Sequence, residues 1–124
     1  MIEITLTGNP LSTQHIYKYF CRGKFGGFYM SKKGKDAKAR YVEEIKEQYN
    51  GEPLKDMVEM DVKLYFGTRR KKDVDNFSKI INDALSGIVY EDDVQIKRLT
   101  VEKFYLKENP HIEIIIKKYK NGAE

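Results

Sequence analysis

The chain has 124 residues, 40% of them hydrophobic and 34% charged, which suits one globular domain with a small core and excludes a disordered polymer. With 23 Lys and Arg against 19 Asp and Glu, the formal net charge of +4 leans towards anionic partners, and the position of the cations must decide its meaning. The lone Cys21 excludes an internal disulfide or a zinc finger and favours a reduced, cytoplasmic setting. No apolar run approaches the roughly 20 residues a membrane helix needs and no apolar signal segment opens the chain, so a soluble, unprocessed protein is expected.

In chain order, Ile2, Ile4 and Leu6 alternate with Glu3, Thr5 and Thr7, which predicts a short strand ended by Gly8-Asn9-Pro10. Leu11 to Lys35 shows no sustained period. Gly23, Gly26 and Gly27 are interleaved there with Tyr17, Tyr19, Phe20, Phe25, Phe28 and Tyr29 and with the cations Lys18, Arg22 and Lys24, and a long functional loop is expected. Ala37, Tyr41, Ile45 and Tyr49 fall four apart, which predicts an amphipathic helix over Gly34–Tyr49 closed by Asn50-Gly51. Val58, Met60, Val62, Leu64 and Phe66 alternate with polar residues or Tyr65 as a strand that runs straight into a basic segment.

A second helix is predicted from about Asp75, because Phe77, Ile80, Ile81, Ala84 and Leu85 recur at helical spacing and Gly87 supplies a stop. Two more strands are expected over about Ile96–Leu106 and His111–Lys118, joined by Glu108-Asn109-Pro110, the first with an alternation broken as by a bulge. Residues 1–124 therefore read as a single α/β domain of the mixed α+β kind, with about four strands in a mixed sheet and two helices, in the order β, loop, α, β, α, β, β. The order of the strands within the sheet does not follow from the sequence.

The chemistry is concentrated in one segment. Arg69, Arg70, Lys71 and Lys72 are four consecutive cations, Asp73 and Asp75 follow at once, and Asp92 and Asp93 come about twenty residues later. Cations suit phosphate, and carboxylate oxygens suit hard divalent ions such as Mg²⁺ or Mn²⁺. Asp73 and Asp75 lie two apart in extended chain and can present oxygens to one side, where they repel each other unless a cation compensates. Asp92 or Asp93 would supply the third carboxylate. The polar face of the second helix carries Asp75, Lys79, Asn82 and Asp83. Lys79, in its first turns, opposes the helix dipole at a cost of roughly 0.3 to 1 kcal/mol, which a phosphate partner would offset.

Each feature taken singly has a plain alternative. Asp73 or Asp75 serves as a helix N-cap, worth about 1 kcal/mol. Lys79 pairs with Asp75 or Asp83 at i, i+4. The acidic turn and the basic quartet are ordinary solvated surface. Their conjunction is what points to metal-dependent phosphate chemistry. His15 and His111 are isolated and suit structural roles, and Ile112, Ile114, Ile115 and Ile116 suit core, with a subunit interface as the alternative.

The run Arg69 to Asn76, then Lys79, Asp83-Ala84-Leu85 and Asp92-Asp93-Val94-Gln95-Ile96, resembles the RusA family of Holliday-junction resolvases, the crossover junction endodeoxyribonucleases. Tyr17, Arg22-Gly23, Ser31, Gly34 and Tyr41 extend the similarity into the N-terminal half. The resemblance implies a homodimeric, Mg²⁺- or Mn²⁺-dependent endodeoxyribonuclease, without a small-molecule cofactor, that resolves four-way DNA junctions by paired symmetric nicks in recombination and repair, in a bacterial or prophage setting. By motif position Asp73, Asp75 and Asp93 would be the metal-binding acids, ranked above Asp92, and Lys79 the catalytic lysine. Arg69 to Lys72 match the family's basic run with Lys at two of its four positions. Lys18, Arg22 and Lys24 would meet DNA phosphates, with some aromatics of the same loop stacking on bases. Two other functions fit the residues: a non-catalytic, structure-selective nucleic-acid binder with a structural metal site, and a metal-dependent phosphohydrolase acting on RNA or flapped DNA.

Overall fold

The computed structural model describes residues 1–10, 17–22, 25–67 and 78–119. Its elements in chain order are β1 (Ile2–Thr7), β2 (Tyr17–Arg22), β3 (Phe25–Met30), α1 (Lys32–Gln48), β4 (Val58–Phe66), α2 (Ser78–Leu85), β5 (Ile96–Tyr105) and β6 (His111–Lys118).

Strict alternation in β4 buries Val58, Met60, Val62, Leu64 and Phe66 on one face and leaves the residues between them half-buried, and this strand is the second to last of a four-stranded sheet ordered β1-β6-β4-β5. β4 pairs antiparallel with β6 and parallel with β5, and β6 pairs antiparallel with β1. The register stacks apolar rows across the sheet: Ile4, Ile114, Val62 and Val101 form one, and Ile2, Ile116, Met60 and Leu99 another. Ala37, Tyr41 and Ile45 from α1 and Ile80, Ile81, Ala84 and Leu85 from α2 join these rows, apart from the exposed Leu99 at the β5 edge, in a single core cluster. Burial of an Ile, Leu or Val side chain is worth about 1.5 to 3 kcal/mol, so the shared apolar face is what holds helices and sheet together. The Ile run of β6 is split by the strand period: Ile112, Ile114 and Ile116 are core and Ile115 lies half-buried on the other face.

The mixed four-stranded sheet and two helices agree with the expected α+β class. The stretch expected to be one long loop, Leu11 to Lys35, instead contains the antiparallel hairpin β2–β3, paired from Tyr17↔Met30 to Arg22↔Phe25 as a separate two-stranded sheet. Aromatic residues favour such strands, but Gly26 and Gly27 stand opposite Cys21 and Phe20 and interrupt the alternation that would have disclosed them. The helix expected from Gly34 begins at Lys32, because the Ser31 hydroxyl accepts a hydrogen bond from the Gly34 N–H at 3.1 Å and so caps the first turn. Its tail ends at Gln48, with Tyr49 as the cap.

β5 explains its own irregularity. Val58 pairs with Ile96 and Glu59 with Arg98, so Lys97 is an extra residue that shifts the pattern by one. The start of the second helix near Asp75 lies outside the described residues. No described helix is long and apolar enough to cross a membrane.

α1 also closes the sheet on one side. Gln48 accepts from the Thr5 N–H (2.8 Å) and donates to the Thr5 carbonyl (2.7 Å), the Glu44 carboxylate accepts from the Thr7 N–H and hydroxyl (2.9 and 3.0 Å), and Arg40 donates to the Thr7 carbonyl (3.0 Å). The outward backbone groups of Thr5 and Thr7 on edge strand β1 are therefore satisfied by helix side chains.

Candidate active site

The acidic pair Asp92–Asp93 is carried on a turn that the chain anchors twice. α2 ends with the Ser86 N–H and hydroxyl both donating to the Asn82 carbonyl, and Gly87 then turns at a φ of +85°, a conformation glycine adopts without strain. The reversal is locked by the Gly87 N–H donating to the Tyr90 carbonyl at 2.7 Å. Tyr90 is fully buried, and its neighbours are stitched to Leu54: the Leu54 N–H donates to the Val89 carbonyl (2.8 Å) and the Glu91 N–H to the Leu54 carbonyl (3.3 Å). A single 3-10 turn, Asp93–Gln95, follows. Gln95 is buried and bonds back to both sides, while Asp92 and Asp93 are exposed.

The two neighbouring carboxyls are shifted in opposite directions. A hydrogen bond with Asp93, helped by the Val94 N–H, holds the Asp92 carboxyl below its ordinary value. The same bond, then desolvation and the negative charges of Asp92 and Asp83, push Asp93 above its own. Asp83, from the polar face of α2, is thus within electrostatic reach of the turn. Burial foremost, and then the charges of Asp93, Asp83 and Asp92, raise the Tyr90 phenol, although a bond with Ser86 works the other way. Like charges held together in this way are relieved either by a shared proton or by a cation, and exposed carboxylate oxygens are the donors that Mg²⁺ and Mn²⁺ prefer. The residues present therefore fit a hard divalent ion in donor chemistry. Among the described residues no group of three or more His, Cys, Asp or Glu side chains could hold one.

Of the residues singled out by sequence, Asp92 and Asp93 stand side by side and exposed on this turn, and Asp83 on α2 is near enough for its charge to act on Asp93. Lys79 is exposed on α2, one helical turn ahead of Asp83. Asp73, Asp75, Arg69, Arg70, Lys71, Lys72 and Lys24 lie outside the described residues. Lys18 and Arg22 stand on β2, opposite Tyr29 and Phe25. The register locates the ends of the segment: Ile96, just after the acidic turn, is level with Val58 at the start of β4, whereas Phe66, ahead of the basic quartet, is level with Tyr105 at the other end. His111 has the structural role expected, its ring between the Asn109 carbonyl (2.7 Å) and the Glu113 carboxylate (2.8 Å) and stacked on Tyr65 at 4.3 Å.

Sequence reasoning passed over a cationic cleft of about 640 Å³ lined by Gly8, Asn9, Lys32, Lys33, Asp36, Ala37 and Arg40. Its signal was legible: the first turn of α1 has no acid, and Lys32, Lys33, Lys35, Lys38 and Arg40 outnumber Asp36 in its first half.

A basic chain with this mixed sheet, whose parallel crossover carries a lysine-bearing helix and an anchored acidic turn, matches a family of endonucleases. The chain belongs to the family described as endodeoxyribonuclease RusA, whose model matches residues 8–117. It is similar to the crossover junction endodeoxyribonuclease RusA of Aquifex aeolicus (strain VF5), 28% identical over 104 residues that cover 82% of this chain and 80% of that protein. It is also similar to the uncharacterized protein YqaN of Bacillus subtilis (strain 168), 47% identical over 47 residues, a match covering 38% of this chain and 32% of that longer protein.

Proposed function

We propose that the protein is a metal-dependent endodeoxyribonuclease that resolves four-way DNA junctions by paired symmetric nicks, in DNA recombination and repair in the cytoplasm. The observation that carries the reading is the match to this family, together with the anchored, exposed pair Asp92–Asp93 that follows the helix bearing Lys79 and Asp83. The name of the Aquifex aeolicus relative supports the junction as substrate.

In this reading Asp73, Asp75 and Asp93 hold Mg²⁺ or Mn²⁺, with Asp92 adjacent. When bound, the ion supplies a polarised water and neutralises charge on the phosphate. The carboxylates fix its position, and the Lys79 ammonium stands by the phosphate to offset charge that develops on the departing oxygen. Arg69, Arg70, Lys71 and Lys72 grip the flanking phosphates, and Lys18, Arg22 and Lys24 bind the arms. Two identical nicks at a roughly two-fold junction call for two identical sites, hence a homodimer. The exposed Leu99, Phe104 and Tyr105 on edge strand β5 give a second copy apolar surface to bury.

The test is cleavage of a synthetic four-way junction against linear duplex, with Mg²⁺, Mn²⁺ or a chelator. Paired nicks in the junction alone, and only with metal, are expected. Asp93→Asn and Asp75→Asn should bind the junction without cutting it, and Lys79→Ala should slow nicking by roughly 10² to 10³-fold, the loss usual for removing one group that stabilises developing charge. Junction binding without scission at any metal concentration would mean a non-catalytic binder, and equal cutting of RNA or flapped DNA a different phosphohydrolase.

A further inference from the structure

We propose that Gln95 is a positioning residue that sets the direction in which the acidic turn presents its carboxylates. The inference rests on the metal-dependent reading of that turn. Gln95 is only 8% exposed and is one of two buried polar side chains among the described residues. Its amide is used in full. Nε2 donates to the Leu54 carbonyl at 2.8 Å and to the Asp56 carbonyl at 2.9 Å, and Oε1 accepts from the Asp92 N–H at 2.9 Å.

The segment that Gln95 grips is itself tied down. Leu54 is bonded to Val89 and Glu91, and the Tyr119 N–H donates to the Met57 carbonyl at 2.9 Å, so residues 54–57 bridge the turn after α2 and the end of β6. Against that frame the acidic turn is short, with two backbone bonds of its own, from the Gln95 N–H to the Asp92 carbonyl at 3.1 Å and from the Ile96 N–H to the Asp93 carbonyl, neither of which ties it to residues 54–57. Its orientation therefore depends on the side chain at its last position. A methionine there would fill the same space yet take from the part-buried Asp92 N–H and Asp56 carbonyl the partner they have in Gln95, and leave the Leu54 carbonyl with the Glu91 N–H alone; a buried polar group left unpaired costs roughly 1 to 3 kcal/mol. The turn would relieve that cost by swinging away from residues 54–56, carrying Asp92 and Asp93 with it. Partners that orient metal ligands in this way typically govern affinity by 10- to 100-fold.

The test uses the full chain and Mn²⁺ alone. Gln95→Met keeps the volume, and the milder Gln95→Asn keeps an amide that falls short of residues 54 and 56. Calorimetric titration should show Mn²⁺ binding weakened by about 10- to 100-fold in Gln95→Met and to a lesser degree in Gln95→Asn. The Asp92 amide should exchange with solvent faster in both. The Mn²⁺ concentration giving half-maximal nicking should rise by the same factor, while the rate at saturating Mn²⁺ stays within a few-fold of wild type. Ile112→Val, a core change level with Leu64, towards the opposite end of β4 from the turn, should lower stability and leave Mn²⁺ affinity unchanged. Wild-type Mn²⁺ affinity in either folded Gln95 variant overturns the proposal, and so does a wild-type chain that binds no Mn²⁺. If the wild type binds Mn²⁺ but nicks no DNA, the nuclease reading alone fails, and the calorimetry of the variants still decides the role of Gln95.

Discussion

Gly87 has nothing within 4 Å of where a Cβ would stand, yet its φ of +85° is closed to L side chains on backbone grounds. Gly87→Ala should accordingly lower stability by roughly 1 to 2 kcal/mol with no steric clash, readable as a lower urea midpoint at unchanged slope. His111 makes a second test at this scale. Burial of its ring pulls its pKa down, but the Glu113 bond, the Asn109 carbonyl and the Glu113 charge outweigh burial, and the net direction is up. A folded value above the unfolded one means that protonated His111 stabilises fully below about pH 6.5 and that this contribution is lost as pH rises through the folded value. The urea midpoint should therefore fall across that window, and Glu113→Gln should flatten the dependence. Asp92, Asp93 and Lys79 were legible in the sequence because acids and a cation at set spacings have a chemical meaning of their own. Gln95 was not, since its bonds reach carbonyls at Leu54 and Asp56 that no local pattern connects to it.

Among the elements, β4 and β6 were readable from alternation alone, and α2 from its apolar spacing as far as the described residues go. The β2–β3 hairpin was hidden by its adjacent glycines, whereas β5 was readable with its broken alternation, which the extra Lys97 explains. The contact between α1 and β1 was equally silent, because Arg40, Glu44 and Gln48 look like an ordinary solvated helix face until β1 is placed beside them. A bare edge strand is a template for pairing with another chain, so these side chains both stabilise the helix–sheet contact and shield the edge. Glu44→Ala with Gln48→Ala should cost about 1 to 2 kcal/mol, at the low end per bond because the groups are partly solvated. The same double variant should add concentration-dependent association beyond the dimer, visible by sedimentation as species larger than those of wild type.

For the whole molecule, composition and periodicity reached the fold class but not the strand order, since parallel pairing of β4 with β5 is decided by how helices and sheet share one apolar face. That pairing makes residues 67–95 one crossover, and it contains the basic quartet, Asp73, Asp75, Lys79 and the acidic turn. A divalent ion held by Asp73, Asp75 and Asp93 would join two ends of that crossover and bind only the folded chain. At about 100 times its dissociation constant, Mn²⁺ should add about 2.7 kcal/mol and raise Tm by roughly 10 °C, an effect a chelator reverses and Asp93→Asn removes. The crossover also separates two kinds of inheritance. Bond breaking would be encoded in one contiguous block, and the grip on DNA arms by Lys18, Arg22 and Lys24 in another. Exchanging the β2–β3 hairpin between relatives should then retune which branched DNA is favoured while the rate of phosphodiester scission stays put.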